Sequence, residues 1–92
     1  MNVTHNEGAN RFEIETAAGI AVLEYMRDGD KVVMTHTAVP EAAEGRGVGS
    51  ELARTALAWA REQGLRVHPV CPFVHGYVRK HAAEYRDLVG AV

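Results

Sequence analysis

Six residues in mid-chain, Glu44-Gly45-Arg46-Gly47-Val48-Gly49, set three glycines at every second position with a cation among them. A glycine has no Cβ to keep an anion off the backbone, and Arg46 adds a mobile positive charge. The residues that follow read as a helix, whose first N–H groups and dipole attract phosphate. The stretch from Gly45 to Ser50 therefore suits a pyrophosphate. A bare Gly-x-Gly-x-Gly equally suits a flexible turn before a helix, so spacing alone leaves both readings open. Two other nucleotide readings fail. No Lys followed by Ser or Thr completes a P-loop, and no acidic residue ends the next strand to complete a dinucleotide fingerprint.

Two further side chains have the chemistry to move protons or acyl groups. Cys71 ends a strand and directly precedes Pro72, the N-cap position of a second helix, where the dipole favours a thiolate. The plainer reading is a small buried hydrophobe. His36 lies on the same face of a strand as Met34 and Ala38, and would serve there either as general base for an incoming amine or as a histidine satisfied within the sheet. His68, Cys71 and His75 straddle a strand end, two prolines and a helix start with no fourth ligand nearby, so a metal site is not expected. Glu13 and Glu15 share one strand face and read as a solvated surface, and Trp59 reads as core.

The elements that must hold these groups follow from periodicity. Residues 1 to about 10 are polar and read as an irregular lead-in. From Arg11, Phe12, Ile14 and Thr16 alternate with Arg11, Glu13 and Glu15, the mark of a half-buried strand. A second strand, Ile20 to Met26, leads to Asp28-Gly29, whose tolerance of positive φ suits a tight hairpin, and a third strand runs from Lys31 to Val39 before Pro40 stops it. From about Gly47 to Gln63 the period turns helical, with Val48, Leu52, Ala53, Ala56, Leu57, Trp59 and Ala60 on one face and Gly64 as a left-handed cap. Leu65 to Val70 reads as a fourth strand. Pro72 then opens a second helix, whose apolar face is Phe73, Val74, Tyr77, Val78 and His81. A short tail, Glu84 to Val92, ends the chain.

The bulk numbers bound the class. At 92 residues and 47 % hydrophobic content the chain suits one domain over 1–92. Roughly 60 to 65 % of the unfolded surface can be buried at this size, so the core is thin and a homodimer or a tightly held ligand would add stability. Twelve acidic residues against ten basic ones, formal charge -2, give no basic stripe for nucleic acid. No export signal and no membrane-length apolar run is found, and the single Cys71 fits a reducing compartment, so a cytoplasmic protein is expected.

Thr35-His36-Thr37-Ala38-Val39-Pro40, followed by Glu44-Gly45-Arg46-Gly47-Val48-Gly49-Ser50-Glu51-Leu52, resembles the acetyl-coenzyme A (acetyl-CoA) signature of the GNAT superfamily of N-acetyltransferases. Val70-Cys71-Pro72-Phe73-Val74 and the segment from His81 to Val89 resemble its short stand-alone branch, the YjdJ-type proteins. The resemblance runs over nearly all of the chain from Arg11 onward. It implies an α+β fold, a minimal GNAT domain with one mixed sheet in the order β-β-β-α-β-α and two helices. In that fold the third and fourth strands splay, and the pantetheine arm of CoA pairs like an extra strand with Thr37, Ala38 and Val39. The pyrophosphate meets Gly45, Arg46, Gly47, Val48, Gly49 and Ser50.

The implied activity is acetyl transfer from acetyl-CoA to a primary amine of a small molecule or a protein. Cys71 would lie beside the CoA sulfur, as nucleophile or in a mixed disulfide. Tyr77 lies in the region from which larger members protonate the leaving thiolate, although a core tyrosine explains its position more simply. Relative to full-length members, the first strand with its two helices and the last two strands have no counterpart here, and those parts usually build the acceptor pocket. A CoA-binding or acyl-CoA-binding module without turnover is therefore the alternative. Glu44 stands where Gln or Arg is usual and is expected to turn to solvent, and Ala82-Ala83 stand where a single Pro is expected.

Overall fold

Residues 1–89 are described by the computed structural model. Five strands form one open mixed sheet in sequential order: β1 (Thr4–Asn6), β2 (Arg11–Thr16), β3 (Gly19–Asp28), β4 (Lys31–Ala38) and β5 (Arg66–Pro69). The first four pair antiparallel, and β4 pairs with β5 in parallel. The parallel pair needs a crossover, and α1 (Val48–Glu62) supplies it. After β5 come α2 (Pro72–Lys80) and α3 (Ala82–Val89).

The alternation from Arg11 works as its pattern requires: Phe12 and Ile14 are buried while Glu15 is exposed. The hairpin after Asp28 closes through the two residues Gly29 and Asp30, with Asp28 facing Lys31 and Gly29 at φ 62°. Gly64 takes the left-handed conformation beyond α1, at φ 70°. One sheet face carries the whole core, with Leu23, Val32 and Met34 packed against Leu52, Leu57, Val74 and Val78 of α1 and α2. Among the described residues no helix covers the other face, and there Ile20 and Met26 are 51 % and 62 % exposed. Among the described residues, no helix is long and apolar enough to cross a membrane.

Two elements correct the sequence reading. The lead-in contains β1, three polar residues held because His5 turns inward, stacks on Phe12 at 4.1 Å and bonds the Tyr25 hydroxyl through Nε2 at 2.7 Å. The expected tail contains α3, which buries Tyr85 and Leu88, while Arg61 of α1 pairs with Asp87 at 2.8 Å. The end of that tail, residues 90–92, lies outside the described residues.

Candidate functional site

β4 and β5 run together only from Lys31 to Met34 against Arg66 to Pro69. One more bond, from the Cys71 N–H to the Met34 carbonyl at 2.9 Å, closes the pair before the chain turns into α2. Beyond it, Thr35 to Ala38 have β3 on one side and, among the described residues, no strand on the other. A proline follows Cys71 at once, and its fixed φ starts a helix where a strand would otherwise continue. The splay therefore follows from a few residues at the end of β5.

The gap opens into a cleft of about 400 Å³, bordered by Thr37 and Val39 of β4, by Ala43 to Gly45, by Gly47 to Ser50, and by the Phe73 ring. Gly47 caps α1 at φ 79° and offers no side-chain hydrogen bond to the helix. The N–H groups of Val48, Gly49 and Ser50 have no partner within the helix, as at any helix start. Gly49 is required for a different reason from the one that spacing suggests. A Cβ there would come within 2.7 Å of Phe73 Cζ, so the glycine makes room for the ring that walls the cleft.

Seven of the nine residues expected to hold the cofactor border this cleft: Thr37, Val39, Gly45, Gly47, Val48, Gly49 and Ser50. The other two do not. Ala38 faces the open side of the sheet opposite Val22, and Arg46 borders a neighbouring groove with Thr16 to Ala18 and Ala42. Glu44, expected to turn to solvent, is exposed and also borders the cleft.

Cys71 is 3 % exposed and caps α2, and its thiol donates to Thr37 Oγ1 at 3.3 Å. It thus lies behind Thr37 at the inner end of the cleft. His36 is elsewhere. β4 carries one extra residue at Thr35, since Tyr25 faces Met34 while the adjacent Glu24 faces His36. Such a bulge reverses the alternation. His36 accordingly shares a face with Ala38 but not with Met34, and it stands exposed on the open side of the sheet. The same bulge turns Thr37 inward beside Leu23. No glycine or proline marks Thr35, so period-two counting along β4 goes astray there. Tyr77, half-buried, packs against His81 at 4.6 Å and borders a groove on the far side of Phe73. Among the described residues, no three His, Cys, Asp or Glu side chains converge to hold a metal.

Residues 11–88 match the family model described as GCN5-related N-acetyl-transferase. The chain is 39 % identical over 84 residues to the mouse (Mus musculus) protein named NATD1, covering 88 % of this chain and 76 % of that protein. It is 39 % identical over 62 residues to the chicken (Gallus gallus) protein of the same name, covering 66 % of this chain and 56 % of that one. The zebrafish (Danio rerio) counterpart is 32 % identical over 84 residues, with 88 % and 76 % covered. The matches thus span between about half and three quarters of these relatives' own length.

Proposed function

Since this chain belongs to the GCN5-related N-acetyltransferase family, we propose that its β4–β5 cleft binds acetyl-CoA and that it transfers the acetyl group to a primary amine. One observation carries this reading. A strand edge without a neighbour, three N–H groups at a helix start, and a hydroxyl backed by a thiol all meet at one cleft. Acetyl-CoA supplies an acyl thioester whose carbonyl carbon is open to attack by an amine. The N–H groups of Val48, Gly49 and Ser50 take phosphate oxygens. Thr35 to Ala38 offer backbone donors and acceptors to the amides of the pantetheine arm. Thr37 Oγ1 accepts a hydrogen bond from the Cys71 thiol and keeps its own hydrogen to donate toward the acyl group.

Of the side chains expected to be catalytic, Cys71 has the best geometric support, and it acts through Thr37. An amine that enters from the open sheet face meets His36 beside Glu24. Tyr77 lies outside the cleft and serves packing. A second reading, a CoA-binding module without turnover, is favoured by one specific fact: among the residues bordering the cleft, only Glu44 has an acid or base side chain.

Thermal unfolding with CoA, acetyl-CoA, ATP and NAD tests the binding half. CoA and acetyl-CoA raise the melting temperature, because a ligand of the native state stabilises it, while ATP and NAD do not. Stabilisation by ATP alone would sink the assignment. Thiol release from acetyl-CoA in the presence of amines tests turnover. Loss of that release in Thr37→Val with CoA binding retained supports the enzyme, whereas binding without release in the parent protein supports the module. A thioester adduct on the parent, absent from Cys71→Ala, would assign Cys71 as nucleophile and overturn the direct route.

A further inference from the structure

Beside the glycine loop lies a second groove, of about 430 Å³, which no part of the proposed chemistry uses. The turn after β2 forms one wall, and the helical turn Glu41–Ala43 forms the other. The two walls touch: a Cβ on Gly19 would stand 3.6 Å from Pro40 Cγ. Ala43 and Val48, each 6 % exposed, make the floor, and both border the cleft as well.

The groove is lined by methyl groups and carries one charge. Ala17, Ala18 and Ala42 stand exposed at its rim. The Thr16 hydroxyl is already engaged, since it donates to the Gly19 carbonyl at 2.6 Å and accepts from the Ala18 N–H at 3.1 Å. Arg46 is exposed and takes part in none of the ion pairs among the described residues. A guanidinium without a counter-ion selects an anion, and methyl walls select an apolar body. With Arg46 as the one free donor side chain on its border, the groove suits a single carboxylate better than a phosphate, whose oxygens call for several donors.

We propose that this groove binds a short branched aliphatic monocarboxylate, with the carboxylate on Arg46 and the methyl groups on the alanines and Val48, as an effector that opposes phosphate binding at the glycine loop. The site stands on the groove alone, and the effector role rests on the cofactor reading above. Arg46 sits between Gly45 and Gly47, which both border the cleft. Its charge, neutralised by a carboxylate in the groove, no longer attracts phosphates in the cleft. The coupling is reciprocal, so a bound cofactor weakens the carboxylate by the same factor.

Nuclear magnetic resonance titration with 3-methylbutanoate, its amide, acetate and inorganic phosphate tests the site without cofactor. The signals of Ala17, Ala18, Ala42 and Ala43 shift together and saturate with 3-methylbutanoate. This acid binds roughly tenfold more tightly than acetate, as a few buried methyl groups imply. It binds roughly tenfold more tightly than its amide, as one charge-assisted contact implies. Arg46→Gln removes the preference for acid over amide, and Ala42→Leu fills the groove and weakens both. Equal affinity for acetate or for the amide overturns the proposal, as does tighter binding of phosphate. The same titration with saturating CoA tests the effector role, and there the affinity for 3-methylbutanoate falls about two- to threefold. Unchanged affinity overturns that role, and so does complete exclusion, which would make the groove part of the cofactor's own site. Failure of the parent to bind CoA overturns the cofactor reading and the effector role together, while the titration without cofactor still decides the site.

Discussion

Three glycines of one loop serve two different ends. Gly45 and Gly47 sit at φ 79°, where a Cβ is strained whatever the surrounding space, while Gly49 is helical and is needed because Phe73 occupies the place of its side chain. Substitution separates the two causes. Gly47→Ala should cost about 1 kcal/mol through the left-handed backbone, and Phe73→Ala should not relieve it. Gly49→Ala should cost up to about 1 kcal/mol and shift the ring, since the nearest atom is the free end of a side chain, and Phe73→Ala should restore most of the loss. Denaturant unfolding of the three single and two double variants checks this, and equal relief of both glycine variants would contradict it. Glu44 gives a second test at this scale. Glu44 borders the cleft, and its carboxylate would repel phosphates seated there, so under the proposed function Glu44→Gln should raise CoA affinity about two- to threefold at low salt, and less at high salt. Unchanged affinity would place the phosphates away from that rim.

His5 anchors β1 to the core, beside the backbone ladder to β2 and the bond from Asn6 Nδ2 to Glu13 Oε2. His5 stacks on Phe12, meets Trp59 edge-on at 4.8 Å and bonds Tyr25, and its burial lowers its pKa below 6.5 although the Glu7 charge opposes the shift. The unfolded chain therefore takes up the proton first as pH falls. Stability contributed by neutral His5 is present above about 6.5 and is lost as pH drops through the lowered value. The melting temperature of the parent should thus fall more steeply between pH 7 and 5 than that of His5→Gln, and parallel curves would show that the ring does not report on protonation. The same strand marks how far the sequence could be read. β2, β3, β4, α1, β5 and α2 were legible because their apolar residues repeat at a period of two or near 3.6 and glycine or proline punctuates them. Thr4-His5-Asn6 has no such repeat, and its anchor, the ring cluster, is assembled from distant parts of the chain. α3 did leave a signal, Tyr85 and Leu88 three apart after Ala82. The place of the glycine loop at the start of α1 and of Cys71 at the cap of α2 was legible, but the turn of His36 away from the cleft was not, because a single unmarked residue, Thr35, reverses the face count.

The molecule as a whole is a meander of neighbouring hairpins joined to its last strand by one long crossover. Contacts within β1 to β4 connect residues close in sequence, whereas β5 reaches β4 only after residues 39–65 have closed on themselves. Closing that long a loop costs entropy before any contact is gained, so the meander forms first and the parallel pair last. What assembles last is also what opens most readily in the native state. The separation of β4 from β5, met above as the wall of a cleft, is therefore also a seam. Amide hydrogens of Arg66 to Cys71 should exchange with solvent deuterium faster than those of the β2–β3 ladder, at an opening free energy below that of global unfolding. CoA bridging the seam should slow that exchange and leave the meander's rates unchanged. The site would then work as a clasp, in which the ligand that β4 and α1 share holds together the two halves of a fold that the backbone joins along four residue pairs.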